Sequence, residues 1–556
     1  MLRLFETHCI RDYRLLEGMW DFTVPHKDKT YKMAVPSCWE EKPELSAYRG
    51  KATYIKEITV KEECNIRLVF KGVSHTADVY FDDEFVVHHY NAYTPFDGIV
   101  KNVKAGQHTI RVEVDNSFSE ASALHKPNDY YTYGGIIRSC AFEMLGDCYI
   151  KNVKFTPLYS DGKWSGRIVA TVVNLSDTDK TVDLSVNLCD KTTEFKNIAL
   201  KANETVDVEA TQSYENVKVW SNETPNLYYI TSTLYENGTA VDDLIDRTGF
   251  RTSETEGKKI LVNGKSVYLK GFNRHEYHGS VGCSLSVNMM MKDIEIMLDM
   301  GCNAVRFSHY PNDELFIDMC DENGLLVWEE NHARGLYLPD MQNPNFEKQC
   351  EDCINEMIEE HFNHPSIIMW GILNECASET PEGREMYKKQ YEQIKALDAS
   401  RPTTSATCRY FKDICLDLPD IPALNIYSEW YFEDKTVDGD FNDTIKWMRE
   451  SGAEDKPIIM SEFGGAALYG YRDPSRAKWS EELQADIIDS CLDLYMSSPE
   501  TAGVFIWQFA DCRVTEEGGW FFSRARCHNN KGIFDEYRRP KLAAEIVKKH
   551  FKGEKR

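Results

Sequence analysis

Two glutamates close apolar runs. Glu375 ends Ile367-Ile368-Met369-Trp370-Gly371-Ile372-Leu373-Asn374-Glu375, which has no other charge, and Glu462 follows Pro457-Ile458-Ile459-Met460-Ser461. A carboxylate after core positions is costly unless it opens onto a site or meets a partner. Two of them about 5–5.5 Å apart support double displacement at a sugar anomeric carbon. One must be protonated to release the leaving group and the other ionised to attack; burial and mutual repulsion can separate their pKa values. For either glutamate alone, a salt bridge inside the core is an equal alternative.

Such a pair needs a rigid frame. From about residue 259 apolar runs end in polar residues and alternate with amphipathic segments such as 289–300 and 481–497. The runs 267–272, 304–307, 325–328, 367–373, 403–407, 424–427, 458–461 and 504–509 read as eight strands. Eight β/α units specify a (β/α)8 TIM barrel, whose strand C-termini form the active-site face. Glu375 and Glu462 then close strands four and seven. Before the barrel, short β-type runs at 65–70, 77–81 and 108–115 suggest a jelly roll. Sparser ones at 166–174, 181–188, 204–210 and 227–235 suit an immunoglobulin-like β-sandwich. The expected architecture is multidomain: an N-terminal β jelly roll at 1–146, the sandwich at 147–254 and a C-terminal catalytic barrel at 255–556.

The 556 residues are 42% hydrophobic and 12% aromatic, enough for large cores. A formal net charge of −26 argues against nucleic acid or an anionic membrane as partner. An anionic substrate would need a local positive site. Met1–Glu6 has no apolar run of signal-peptide type, and no stretch reaches the ~18 apolar residues of a membrane span. The 17 scattered cysteines are therefore expected to be reduced thiols in a cytoplasmic protein. Cys350 and Cys353 form a CxxC pair without the two further ligands a zinc site needs, so they read as ordinary helix residues.

Trp370–Glu375 and 458–464 resemble the acid/base and nucleophile motifs of the glycoside hydrolase family that contains β-galactosidases, β-mannosidases and β-glucuronidases. Asn303-Ala304-Val305-Arg306-Phe307-Ser308-His309-Tyr310-Pro311 and Gly271-Phe272-Asn273-Arg274-His275-Glu276 resemble two further signatures. The resemblance spans nearly the whole chain and implies retaining hydrolysis without a cofactor, by Glu375 as acid/base and Glu462 as nucleophile. It implies that Asn374 contacts the sugar 2-hydroxyl, that Tyr427, Tyr431, Trp507 and His309 line the sugar site, and that Asp129 reaches the 4-hydroxyl from the N-terminal domain. It also suggests a homo-oligomer.

The sugar is narrowed by Asn529-Asn530-Lys531-Gly532, which resembles the Asn-x-Lys motif with which β-glucuronidases hold the substrate carboxylate. Lys531 supplies a charge and Asn529 an amide, Arg524 and Arg526 add to them, and together they make the required positive site. A solvated surface lysine is the bland alternative. The expected substrate is a small-molecule or oligosaccharide uronide, a terminal β-D-glucuronide or β-D-galacturonide. A β-galactosidase of the same family, or less readily a non-catalytic sugar-binding protein, is the rival reading.

After strand three the chain reads Glu329-Glu330-Asn331-His332-Ala333-Arg334-Gly335. His332 and Arg334 replace the Glu and His that supply magnesium ligands in large β-galactosidases, so no metal site is expected there. Arg334 has two readings. It points into the sugar pocket, where a guanidinium beside carbon 4 favours the axial hydroxyl of galacturonate, or it pairs with Glu329 or Glu330 and never meets substrate.

Overall fold

The computed structural model describes residues 1–25, 27–432 and 434–553. The N-terminal sandwich packs a four-stranded sheet (Asp12–Leu15, Cys140–Leu145, Cys64–Phe70, Phe96–Val103) on a six-stranded one that runs from Tyr31–Val35 to Glu84–Tyr90. Strict alternation builds the interface: Tyr31, Met33 and Val35 are buried while Lys32 and Ala34 face out. Trp20, Phe22, Tyr54 and Phe70 fill the space between the sheets. The second sandwich sets three strands, Cys148–Ser160, Lys163–Asn174 and Thr205–Tyr214, against four. Phe155, Ile168, Leu184 and Leu234 form its core.

The third unit is a closed parallel barrel of Leu269–Arg274, Ala304–Phe307, Leu326–Glu330, Ile367–Gly371, Thr403–Thr407, Ile421–Asn425, Ile459–Glu462 and Gly503–Ile506. Burial on both faces explains why these strands read as continuous apolar runs. Each strand gives at least one residue to a plug that includes Leu269, Ala304, Trp328, Ile368, Ala406, Ala423, Ile459 and Phe505, so the barrel is solid and its chemistry sits at the mouth. Surrounding helices start where side chains satisfy free N–H groups, as at Asp313, Thr380, Thr436 and Ser480. Among the described residues no helix separates the fifth and sixth strands; an irregular segment joins them. No helix of the described residues is long and apolar enough to cross a membrane.

Most strands shift by one or two residues from expectation, the fourth ending at Gly371 so that Glu375 stands beyond it, and two differ by three residues at one end. The sixth begins at Ile421, three residues earlier than 424, because Pro422 disguises it: proline lowers the β reading yet pairs with Ser405 in the barrel. Its end is Asn425, so Tyr427 stands beyond the strand. The eighth stops at Ile506, leaving Trp507, Gln508 and Phe509 on the rim.

Candidate active site

The strand ends bring Glu375 and Glu462 to one polar cluster at the barrel mouth. Its hub is Arg306, fully buried in the second strand. The guanidinium donates to Glu462 Oε1 (3.0 Å), to both oxygens of Glu330 (3.0 Å each), to Asn273 Oδ1 (2.9 Å) and to Asn374 Oδ1 (2.8 Å). The Tyr427 hydroxyl donates to the other oxygen of Glu462 at 2.8 Å. His309 stacks on Trp507 with ring centroids 5.0 Å apart; its Nδ1 is 2.8 Å from Glu330 and its Nε2 3.6 Å from Glu462. Burial first, then Arg306 and Arg334, hold the His309 pKa well below 6.5, so the ring is neutral.

Glu375 accepts from Asn425 Nδ2 at 2.9 Å, and that amide also donates to Asn374 Oδ1 at 3.1 Å. Because Asn374 Oδ1 takes hydrogen bonds from Arg306 and Asn425, its Nδ2 faces the other way. That donor is buried and has no hydrogen-bond partner among the described residues. Donors thus converge on Glu462, the arrangement a carboxylate needs in order to attack while ionised. Burial and the neighbouring Glu375 nevertheless push Glu462 up to about 7, against the pull of Arg306, Arg334 and the Tyr427 hydroxyl.

A second cluster adjoins the first. Asp129 enters from the jelly roll and is 3% exposed. Arg524 pairs with both of its oxygens at 2.7 and 2.6 Å, and Asn529 Nδ2 donates to it at 3.0 Å. Burial alone would raise Asp129, but Arg524, then Lys531 and Arg334, hold it below its ordinary value. The Tyr431 hydroxyl accepts from Lys531 Nζ (2.6 Å) and Arg524 (3.0 Å). These two cations lower its pKa against the effect of burial. Lys531 is buried, although most lysines are not. Its loop is fixed by Asp511, which accepts from the Gly532 N–H at 2.9 Å and from Lys541 at 2.7 Å.

Arg334 joins the two clusters. It donates to Asn128 and lies 3.9 Å from Glu375 Oε2. Glu329 is engaged by His361, and Glu330 by Arg306 and His309, so Arg334 pairs with neither of them and faces Asn128 and Glu375 instead. Glu375, then Asp129 and Glu462, raise the Arg334 pKa against its desolvation.

Of the residues singled out in the sequence, Glu375, Glu462, Asn374, Tyr427, Trp507 and His309 meet in the first cluster, and Asp129, Tyr431, Asn529 and Lys531 in the second. Arg526 does not join them: its side chain is 55% exposed and pairs with Glu536 at 3.1 Å. Sequence reading assigns Arg306, Asn425 and Asn128 no role, and gives Glu330 only as an alternative partner of Arg334. Arg306 carries a legible signal, since an arginine inside the apolar strand Ala304–Phe307 must find buried acceptors. Asn128 carries none, because its place depends on how two domains dock.

Residues 254–555 match the family described as Glycosyl hydrolases family 2, TIM barrel domain. Residues 148–251 match Glycosyl hydrolases family 2, and 26–145 that family's sugar binding domain. The chain is similar to a family 2 β-galacturonidase from Eisenbergiella tayi whose crystal structure holds galacturonate. The identity is 46% and the TM-score 0.97, over 100% of this chain and 99% of the other. A β-glucuronidase of Streptococcus agalactiae is 26% identical over 96% of this chain and 95% of its own. A putative β-glucuronidase of Formosa agariphila is 28% identical over 79% of this chain, a match that spans only 53% of that longer protein.

Proposed function

The chain belongs to glycosyl hydrolase family 2 as a β-glucuronidase-like glycoside hydrolase, and from that premise we propose that it is a retaining exo-β-hexuronidase preferring terminal β-D-galacturonides. One observation carries the choice of an anionic sugar. Arg306, Arg334, Arg524 and Lys531 face Asp129, Glu330, Glu375 and Glu462 in the paired clusters. With one proton on the catalytic pair, a single positive charge is left over, in a protein whose formal charge is −26. A uronate carboxylate neutralises it; a neutral galactoside does not.

In this mechanism the carboxylate sits on Asn529 and Lys531, with Arg524 behind them, and Tyr431 shares the two cations. Trp507 and His309 wall the ring. The buried, unpartnered Asn374 Nδ2 meets the 2-hydroxyl. Glu462, oriented by Arg306 and Tyr427, attacks the anomeric carbon while Glu375 gives its proton to the glycosidic oxygen. The C–O bond to the leaving group breaks as the glycosyl–Glu462 ester forms. Water, deprotonated by Glu375, then cleaves that ester and retains the configuration.

The galacturonide preference rests on Arg334, which brings a guanidinium between Asp129 and Glu375, and it is supported by the 46% identical galacturonidase. If Arg334 donates to the axial 4-hydroxyl, the equatorial epimer forgoes that charge-assisted bond, worth about 1–3 kcal/mol. The test is hydrolysis of nitrophenyl β-galacturonide, β-glucuronide and β-galactoside side by side, with Lys531→Ala alongside the wild type. Uronide cleavage that collapses in Lys531→Ala is expected, the galacturonide being the better substrate. Galactoside cleavage alone, indifferent to Lys531, would overturn the proposal.

A further inference from the structure

Glu375 protonates the glycosidic oxygen in the reaction proposed above, so the leaving group must lie on the side of the pocket that Glu375 borders. Two loops supply that side. The helix-free segment after the fifth strand begins Cys408-Arg409-Tyr410-Phe411, and it lies against the residues that follow the acid/base motif, the Ile414 N–H donating to Ser378 O at 3.0 Å. The loop after the third strand carries Arg334 to Tyr337 and is tied to the same motif by the Gly335 N–H donating to Asn374 O at 2.8 Å.

Arg409 connects the two loops. Its guanidinium donates to the backbone oxygens of Glu375 (3.0 Å) and Cys376 (3.2 Å) and pairs with Glu379 at 3.3 Å. The same guanidinium lies over the ring of Tyr337, 4.9 Å from its centroid. The Tyr337 N–H donates to Asp340 at 3.2 Å, which fixes its backbone at the start of the short helix Leu338–Met341. Yet the residue is 61% exposed. A large aromatic side chain held by a cation on one side and left to solvent on the rest is a preformed stacking surface.

We propose that Tyr337, backed by Arg409, is the leaving-group subsite, and that it takes a neutral pyranose, so that the physiological substrate is a β-uronosyl oligosaccharide. The inference rests on the uronidase reading and adds the other half of the substrate. The ring of Tyr337 offers the apolar face against which a pyranose stacks. Its hydroxyl is the partner for sugar hydroxyls, while Arg409 backs the opposite face of the ring. Arg409 and Glu379 neutralise each other, so the subsite asks for no charge on its ligand.

The experiment compares kcat/KM for three galacturonides in wild type, Tyr337→Ala and Tyr337→Phe: the methyl glycoside, the nitrophenyl glycoside, and a disaccharide with galacturonate β-linked to a neutral hexose. Tyr337 is exposed, and thermal unfolding of both variants checks that the fold is kept. In Tyr337→Ala the disaccharide-to-methyl ratio should fall about tenfold, the size of one lost aromatic stack. Tyr337→Phe should keep most of it. An unchanged ratio overturns the subsite. A loss confined to the nitrophenyl glycoside overturns the choice of a sugar. Wild type that cleaves no uronide fails at the earlier step, and that is seen before any variant is compared.

Discussion

Glu462 is asked to be a nucleophile in a place that resists its charge. Burial and Glu375 push it up to about 7, while Arg306, Arg334 and Tyr427 hold it from rising further. Only the ionised form attacks, so kcat/KM for a nitrophenyl uronide should fall as pH drops through about 7. Arg334→Ala removes a charge that favours the ionised form, and its acid limb should therefore move to higher pH. The same variant should cut the galacturonide-to-glucuronide ratio about tenfold; an unmoved limb and an unmoved ratio together would remove Arg334 from the site. Stability carries the opposite sign. A carboxyl whose folded pKa lies above its ordinary 4.5 favours the folded state while protonated, and that contribution is lost as pH rises from about 4.5 through 7. The shift corresponds to roughly 3 kcal/mol above pH 7. Glu462→Gln should abolish turnover and yet melt higher than wild type at pH 8, with the gap closing near pH 5. A lower melting temperature at pH 8 would contradict the claim that the charge is strained.

Elements decide whether these side chains meet, and here sequence and structure part company in instructive places. The barrel was legible because buried parallel strands read as unbroken apolar runs that stop at polar residues. Glu375 and Glu462 were visible for the same reason: nothing else in their strands is charged. Pro422 hid the start of the sixth strand, and Arg526 looked equivalent to Arg524 because the two differ by only two positions in a loop without periodicity. The loop decides between them geometrically: Arg524 is turned onto Asp129, while Arg526 reaches outward to Glu536. The loop that holds Asn529 and Lys531 depends on backbone packing at Gly532, where a Cβ would lie 2.2 Å from Asp511 N and 2.3 Å from Phe534 O. Neither contact can yield by rotating a side chain. Gly532→Ala must displace the loop, and since placement errors near 1 Å cost on the order of a hundredfold, kcat/KM on uronides should drop by at least tenfold. A variant with wild-type kcat/KM would mean that the loop tolerates the shift and that Lys531 is not positioned by it.

At the scale of the whole molecule, the site belongs to two domains and its geometry is a docking problem. The jelly roll sends Asn128, Asp129 and Tyr130 to Arg334, Arg524 and His332 across the barrel mouth. The family resemblance implies that Asp129 enters the site, but no local pattern in residues 128–130 names their barrel partners, which they meet only because the domains are held in register elsewhere. A buried ionic cluster far along the chain provides one such hold. Arg3 donates to Asp318 at 3.0 and 2.8 Å, pairs with Glu314 at 2.8 Å, and reaches Asp246 of the second sandwich at 2.9 Å. Lys71 of the jelly roll meets the same Glu314 at 2.7 Å. Asp318 and Glu314 are almost wholly buried, so the cluster draws all three domains onto one barrel helix. Removing one partner of such a pair leaves the other charge desolvated and uncompensated, which costs about 3–5 kcal/mol; here Lys71 and Arg247, which pairs with Asp318 at 3.2 Å, still offset part of it, and about 3 kcal/mol is expected for Arg3→Ala. Burial would raise Glu314, and Arg3 first, then Lys71, hold it well below 4.5, so its share of stability is present above about 4.5 and lost as pH falls. The Arg3→Ala deficit should therefore be full at pH 7 and narrow toward pH 4, where the abandoned carboxylates take up protons. Denaturant unfolding of both proteins at the two pH values measures it. A deficit equal at both would assign Arg3 a packing role, and none at either would mean that the register of the domains, and with it the seat of Asp129, is kept by other contacts.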